Sequence, residues 1–224
     1  MSRFFFLPTE ITYSLLALMT YAFFKWSLLI KVPVLLICSF VLFLFRRSSI
    51  PYRDTIKNDG EIYLTPVYGT VASIRHSVTS MDYPSPCHEI RIAISFWDEK
   101  GLYLPTAGEV TFLKATKGKK LNRDSETHFF YGPVDELAHT DLTLMSKNRL
   151  QTLMRFIDCT SGIRPTIWLK SGDRGRAGAC FGYYPFGGTL LIYLPANSDI
   201  LVFENETVVP GQTVIAAIKD QPKV

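Results

Sequence analysis

A cysteine beside a histidine, Cys87-His88, has the composition of a thiolate–imidazole nucleophile, and residues 170–178 (KSGDRGRAG) carry the glycines and cations of a phosphate turn. Neither spacing completes its chemistry. Neighbours in an extended strand point to opposite faces, so Cys87 and His88 are not expected to meet. The turn lacks the GxxxxGK[ST] order and opens no helix, which leaves a tight basic turn as the expectation. Four histidines (His76, His88, His128, His139) and four cysteines (Cys38, Cys87, Cys159, Cys180) show no metal-ligand spacing, so no metal is expected. Arg164 before Pro165 offers a guanidinium that would either hold a phosphate or carboxylate with two parallel bonds or make a structural ion pair. Lys100, if buried among apolar groups, would be an amine nucleophile able to form a Schiff base with a carbonyl. The aromatic run Phe181, Tyr183, Tyr184 and Phe186 reads as core or membrane-facing packing.

The elements that must position these residues can be read from composition. With 224 residues there is room for one good-sized domain and an appendage. The net charge is +4, and residues 1–47 hold all of it: Arg3, Lys25, Lys31, Arg46 and Arg47 against Glu10. That leaves 19 basic and 19 acidic residues in 48–224, so the body is neutral and nucleic acid is not an expected partner. Residues 11–24 and 32–45 are charge-free apolar runs around a link containing Lys25, Trp26 and Lys31. Each covers only ~21 Å of helix against a ~30 Å hydrocarbon core, so a hairpin thinly spanning or dipping into a membrane is expected, not one long helix. Arg46, Arg47 and Arg53 favour a body on the cytoplasmic side of an inner membrane by the positive-inside bias, against which Lys25 and Lys31 of the link count.

From Ile50 onward the texture is β-rich. Alternating or β-branched runs at 61–68, 69–75, 89–95, 108–113, 165–169, 189–194, 200–203 and 213–218 predict strands. The spacing of Leu142, Leu144, Met145, Leu150, Leu153, Met154 and Phe156 predicts a helix over 140–157. The fold expected is therefore a mainly β barrel or sandwich with one or two helices over 48–224, plus the N-terminal hydrophobic helical hairpin over 1–47. The basic connection 114–124 (KATKGKKLNRD) is expected to be a solvated turn or to touch anionic head groups.

Five phrases then fall into order: Phe43-Leu44-Phe45-Arg46-Arg47-Ser48-Ser49-Ile50-Pro51, Thr65-Pro66-Val67-Tyr68-Gly69-Thr70-Val71, residues 95–110 (SFWDEKGLYLPTAGEV), residues 182–195 (GYYPFGGTLLIYLP) and Pro210-Gly211-Gln212-Thr213-Val214-Ile215-Ala216. Together, over residues 43–216, they resemble the FFRDPxRxIP, SPADGxV, SxxDVHVNRxPxxGxV, GxxxFGSxVxxYLP and GxTVIA phrases of the short, membrane-anchored form of phosphatidylserine decarboxylase. The resemblance implies a β-rich decarboxylase-like fold and a phospholipid substrate. It also implies self-cleavage at a Gly-Ser bond, which turns the serine into a pyruvoyl electron sink. Here the serine position is Gly188, flanked by Gly187 and Thr189; the acid of SPADG falls on Tyr68; the histidine of DVHVNR falls on Lys100. Asp98 is retained. A lysine with an unperturbed pKa near ~10.4 is a poor proton acceptor at neutral pH.

The expectation is thus a catalytically inactive relative with no pyruvoyl cofactor, anchored at a membrane, with membrane phospholipid, protein partners or a second copy as its contacts. Asp98, Lys100, Arg164 and Tyr68 are the candidate lipid-binding residues. The alternative is an active phospholipid-modifying enzyme with rewired chemistry at Lys100.

Overall fold

The computed structural model describes residues 9–44, 46, 61–79, 83–84, 86–119, 136–157 and 164–218. The chain divides into two compact units, Met1–Ser49 and Ile50–Val224.

In the first unit, α1 (Thr9–Lys25) and α2 (Leu28–Leu44) are joined by Trp26 and Ser27. The carbonyl of Ser27 accepts from the amides of Ile30 and Lys31, which starts the second helix directly after the first ends. Pro33 lies inside α2 and deletes one backbone donor there. The two helices touch: the Lys31 ammonium stands 4.8 Å from the Phe23 ring centroid. Each helix has 17 residues, or ~26 Å of rise. No helix among the described residues is long and apolar enough to cross a membrane, which corrects the expectation of a spanning segment.

The second unit is built of strands: β1 (Glu61–Leu64), β2 (Gly69–Val78), β3 (Cys87–Ile94), β4 (Gly101–Tyr103), β5 (Gly108–Thr116), β6 (His139–Ser146), β7 (Gln151–Ile157), β8 (Thr166–Ile167), β9 (Arg174–Gly175), β10 (Cys180–Tyr183), β11 (Gly188–Pro195), β12 (Asp199–Ile200), β13 (Thr207–Val208) and β14 (Val214–Ile218). An eight-stranded sheet runs β13-β2-β3-β11-β7-β6-β5-β9, and three-stranded sheets run β1-β14-β12 and β4-β10-β8. The pairings between these strands are antiparallel. The fold is mainly β.

Alternate residues of the central strands serve two faces. Ile90, Ile92, Leu142, Met154, Phe156 and Ile192 belong to the larger apolar core. The other face carries Leu153, Ile157, Leu191 and Tyr193 in a second apolar cluster. It also carries the buried charges Glu89, Arg91, Asp141 and Arg155, each no more than 5% exposed. These are matched: Arg155 reaches Asp141 through Nε (2.8 Å) and Nη2 (2.9 Å), and Arg91 Nε reaches Glu89 Oε1 at 2.6 Å.

The helix expected over 140–157 is instead the β6–β7 hairpin, and no helix occurs in the second unit among the described residues. The cause is burial on both faces, which leaves apolar residues such as Leu142, Leu144, Met145, Leu153 and Met154 on either side of the strands, mixed with buried polar ones, at spacings that imitate a helix. The turn is made by Ser146, whose hydroxyl oxygen accepts from the amides of Asn148 and Leu150, and by Arg149 at φ 58°. Of the basic connection, β5 claims residues up to Thr116 and Lys119 pairs with Glu136 at 2.6 Å; residues 120–124 lie outside the described residues, as do Arg47, Arg53, His128 and Cys159.

Burial pushes the phenols of Tyr63, Tyr83 and Tyr193 well above the ordinary tyrosine value, with nearby Glu61 adding to the first and Glu89 to the last. Each keeps its proton in the folded chain at a pH where the unfolded chain has lost it. Stability is therefore intact below about pH 10 and falls above it, by up to ~1.4 kcal/mol per pH unit for each group. Thermal midpoints measured upward from neutrality are expected to hold to that pH and then drop, with a late part of the tyrosinate absorbance, that of these three phenols, appearing only as the chain unfolds.

Candidate functional site

One register row crosses the large sheet through Thr70, Ala93, Thr189, Ile157, His139 and Thr116. Just past that row, at one end of the sheet, the chain places Tyr68 before β2, the 95–100 turn after β3, and Gly187-Gly188 at the start of β11. Residues far apart in sequence are thus gathered by strand pairing alone.

The 95–100 turn is closed by its own side chains. Asp98 Oδ2 accepts from the Ser95 amide at 2.6 Å, and the Asp98 amide donates to the Ser95 carbonyl at 3.2 Å. Asp98 therefore shapes the turn. Lys100 is 1% exposed, and its ammonium donates to the carbonyls of Ser95 (2.9 Å) and Phe96, 5.5 Å from the Phe96 ring centroid. Phe96 in turn stacks on Phe186 at 5.9 Å. A buried amine is present, as Schiff-base chemistry would require, but its protons are directed into the backbone of the turn.

The carbonyl of Ser95 links this turn to the glycines. A side chain at Gly187 (φ 71°) would put its Cβ 2.9 Å from that oxygen and 2.3 Å from the carbonyl of Ile94. At Gly188 (φ 152°) a Cβ would stand 2.4 Å from Tyr184 Oη and 2.7 Å from its Cζ. Tyr184 is 1% exposed, donates its hydroxyl to the Ile157 carbonyl, and meets Phe156 edge-on at 6.2 Å. The space a serine side chain would need is filled by a phenol ring. In the sequence Tyr184 reads as general packing; its signal is a large side chain four residues before Gly188, which the resemblance sets at the family's serine position.

Thr189 carries a hydroxyl but is 4% exposed and alternates to the other face of β11. Tyr68 is half-buried in the segment between β1 and β2, where the Tyr103 amide donates to the Pro66 carbonyl at 2.8 Å. Arg164 is exposed, two residues before the Thr166–Tyr183 pairing of β8 with β10, and so lies beside the strand that leads into Tyr184.

Cys87 and His88 part as alternation requires. The Cys87 thiol donates to the Val78 carbonyl at 3.2 Å, and burial, with Glu89 adding to it, raises its pKa. His88 pairs instead with His76, Nδ1 to Nδ1 at 3.2 Å. No group of three or more metal-ligating side chains occurs among the described residues. Residues 170–178 form the basic turn, closed by Asp173 Oδ2 on the Lys170 amide at 2.7 Å.

No protein-family model matches the chain. Curated relatives do. The phosphatidylserine decarboxylase proenzyme of Symbiobacterium thermophilum is 31% identical over 179 residues, covering 80% of this chain and 79% of the relative. The proenzyme of the same name from Cytophaga hutchinsonii is 28% identical over 209 residues, 90% of each chain. That from Gluconobacter oxydans is 33% identical over 115 residues, 51% of this chain and 49% of the relative. With 31% identity to the first of these over about four fifths of both chains, the chain belongs to the phosphatidylserine decarboxylase family.

Proposed function

We propose that this chain is a catalytically inactive member of its family: a polypeptide that stays whole, sits at a membrane, and contacts phospholipid as a scaffold instead of decarboxylating it. The observation that carries this is Gly188, with Tyr184 packed where the serine hydroxyl would stand. Without that serine there is no internal nucleophile for cleavage and no source of a pyruvoyl group. Tyr68 and Lys100 compound the loss, since the phenol is no carboxylate and the ammonium is bonded to two carbonyls.

The helical unit supports the membrane part of the reading. Tyr13 (70%), Phe24 (76%) and Leu36 (66%) are exposed on helices that have almost no charged positions. The hydroxyls of Ser14 and Thr20 bond to the carbonyls of Glu10 and Leu16 one turn back, which satisfies them without water. With a length short of the hydrocarbon core, the pair fits a seat that dips in from one face. Arg46, Arg47 and Arg53 favour the cytoplasmic side. Trp97, 60% exposed on the 95–100 turn, and Arg164 are the groups best suited to meet head groups from the body.

An intact-mass spectrum of the detergent-purified, denatured protein, with carried lipid extracted in parallel, tests this. One species near 25.4 kDa with co-purifying phospholipid is expected. Two fragments parting between Gly187 and Thr189, or ethanolamine phospholipid made by the unmodified protein, would overturn the reading. A borohydride-trapped adduct at Lys100 would instead establish the rewired enzyme.

A further inference from the structure

At the end of the large sheet opposite Gly188, the register row Ser146–Gly108–Gly175 joins β6, β5 and β9. A cleft of about 530 Å³ opens over this backbone floor, walled by Lys147, Arg174, Arg176 and Glu109. Three cations face one carboxylate, and that carboxylate is already engaged by Arg174 Nε at 2.7 Å. The excess stands out because the body as a whole carries as many acidic as basic residues.

The arms of the cleft are mounted on fixed backbone. Gly172 donates to the Val110 carbonyl at 2.7 Å, Val110 donates back to the Asp173 carbonyl at 2.8 Å, and the Gly178 amide reaches the Leu104 carbonyl at 2.7 Å. These amides are spent within the protein, so recognition here falls to side chains and not to a glycine-loop nest. Two guanidiniums and an ammonium lining one cleft suit the oxygens of a phosphate group, the guanidiniums by paired bonds and the lysine as a point charge. We propose that this cleft binds a phosphate-bearing anion through Lys147, Arg174 and Arg176. An extended nucleic acid does not suit a body that carries as many acidic as basic residues.

The test uses the full chain in neutral detergent, titrated with inorganic pyrophosphate by calorimetry at low salt. Binding is expected, weakened about tenfold in the double variant Lys147→Ala/Arg176→Ala and unchanged in Lys114→Ala/Lys117→Ala, which removes equal charge elsewhere. All four side chains belong to exposed residues, so thermal midpoints should match and exclude misfolding. Phosphatidic acid added to the micelles separates the sources: competition with pyrophosphate marks a lipid head group, and its lack marks a soluble phosphate compound. Absence of pyrophosphate binding, or equal weakening in both double variants, would overturn the proposal.

Discussion

Gly188→Ser is expected to give a chain that is still uncut, still without decarboxylase activity, and less stable than the parent. The new Cβ would stand 2.4 Å from Tyr184 Oη on a backbone at φ 152°, a region that side chains avoid. Backbone strain and overpacking each cost about 1–3 kcal/mol, so a loss of about 2–6 kcal/mol is expected. For a body of this size that is on the order of 10 °C in the thermal midpoint. Tyr184 has nowhere cheap to go, because its hydroxyl is bonded to the Ile157 carbonyl and its ring is buried against Phe156. Tyr184→Ala/Gly188→Ser relieves the clash but leaves the strain and adds a cavity, so its thermal midpoint should not exceed the parent's and the chain should likewise remain whole. Fragments of Gly188→Ser in an intact-mass spectrum would show that the site is ready to cleave once given a hydroxyl, and the view that Tyr68, Lys100 and Tyr184 bar the chemistry as well would fall.

The second large effect is expected far from that site. Arg155→Ala strands the Asp141 carboxylate, which now receives two bonds from the guanidinium and has His139 Nε2 3.5 Å away. Breaking one side of a buried ion pair costs about 3–5 kcal/mol, whereas replacing both partners with apolar residues of similar size is often neutral. Asp141→Leu/Arg155→Met should therefore unfold within a few degrees of the parent while Arg155→Ala unfolds far earlier. Equal destabilisation of both variants in thermal unfolding would show that the pair matters through something other than mutual charge compensation.

That ion pair also marks where the sequence stopped being readable. Strands with one clear pattern, such as 69–75, 89–95, 108–113 and 189–194, stand where alternation and β-branching put them, and with them the mainly β class. The hairpin of β6 and β7 does not, because Leu142 and Leu144 serve one face while Asp141 and Arg155 are buried on the other, and a strand buried twice loses its polar beat. Short pairings such as β9 and β13, two residues each, leave no periodicity to read. At the candidate site the matched phrases set Gly188, Tyr68 and Lys100 against the family's serine, acid and histidine positions. The side chain that fills the vacated space was not, since contact between Tyr184 and Gly188 depends on the turn between them. The partners of Lys100 lie four and five residues back along the chain, yet only the closed turn brings their carbonyls round to the ammonium.

The rims of the large sheet govern how this chain can assemble. Along β2 the outward backbone is occupied by the 203–206 loop: Asn205 donates to Val71 at 2.8 Å, Val71 donates to Glu206 at 2.9 Å, and Ile74 donates to the Glu204 carboxylate at 3.0 Å. Along β5 the carbonyls of Val110 and Thr111 are taken by Gly172 and the Ser171 hydroxyl, and exposed Lys114 and Lys117 guard the far end of the strand. A sheet stoppered on both flanks presents little template for an incoming strand, and lysines on the remaining stretch discourage one further. Edge-to-edge polymerisation and strand donation along these described rims are thereby disfavoured, so a partner meeting the large sheet there would have to be held through side chains.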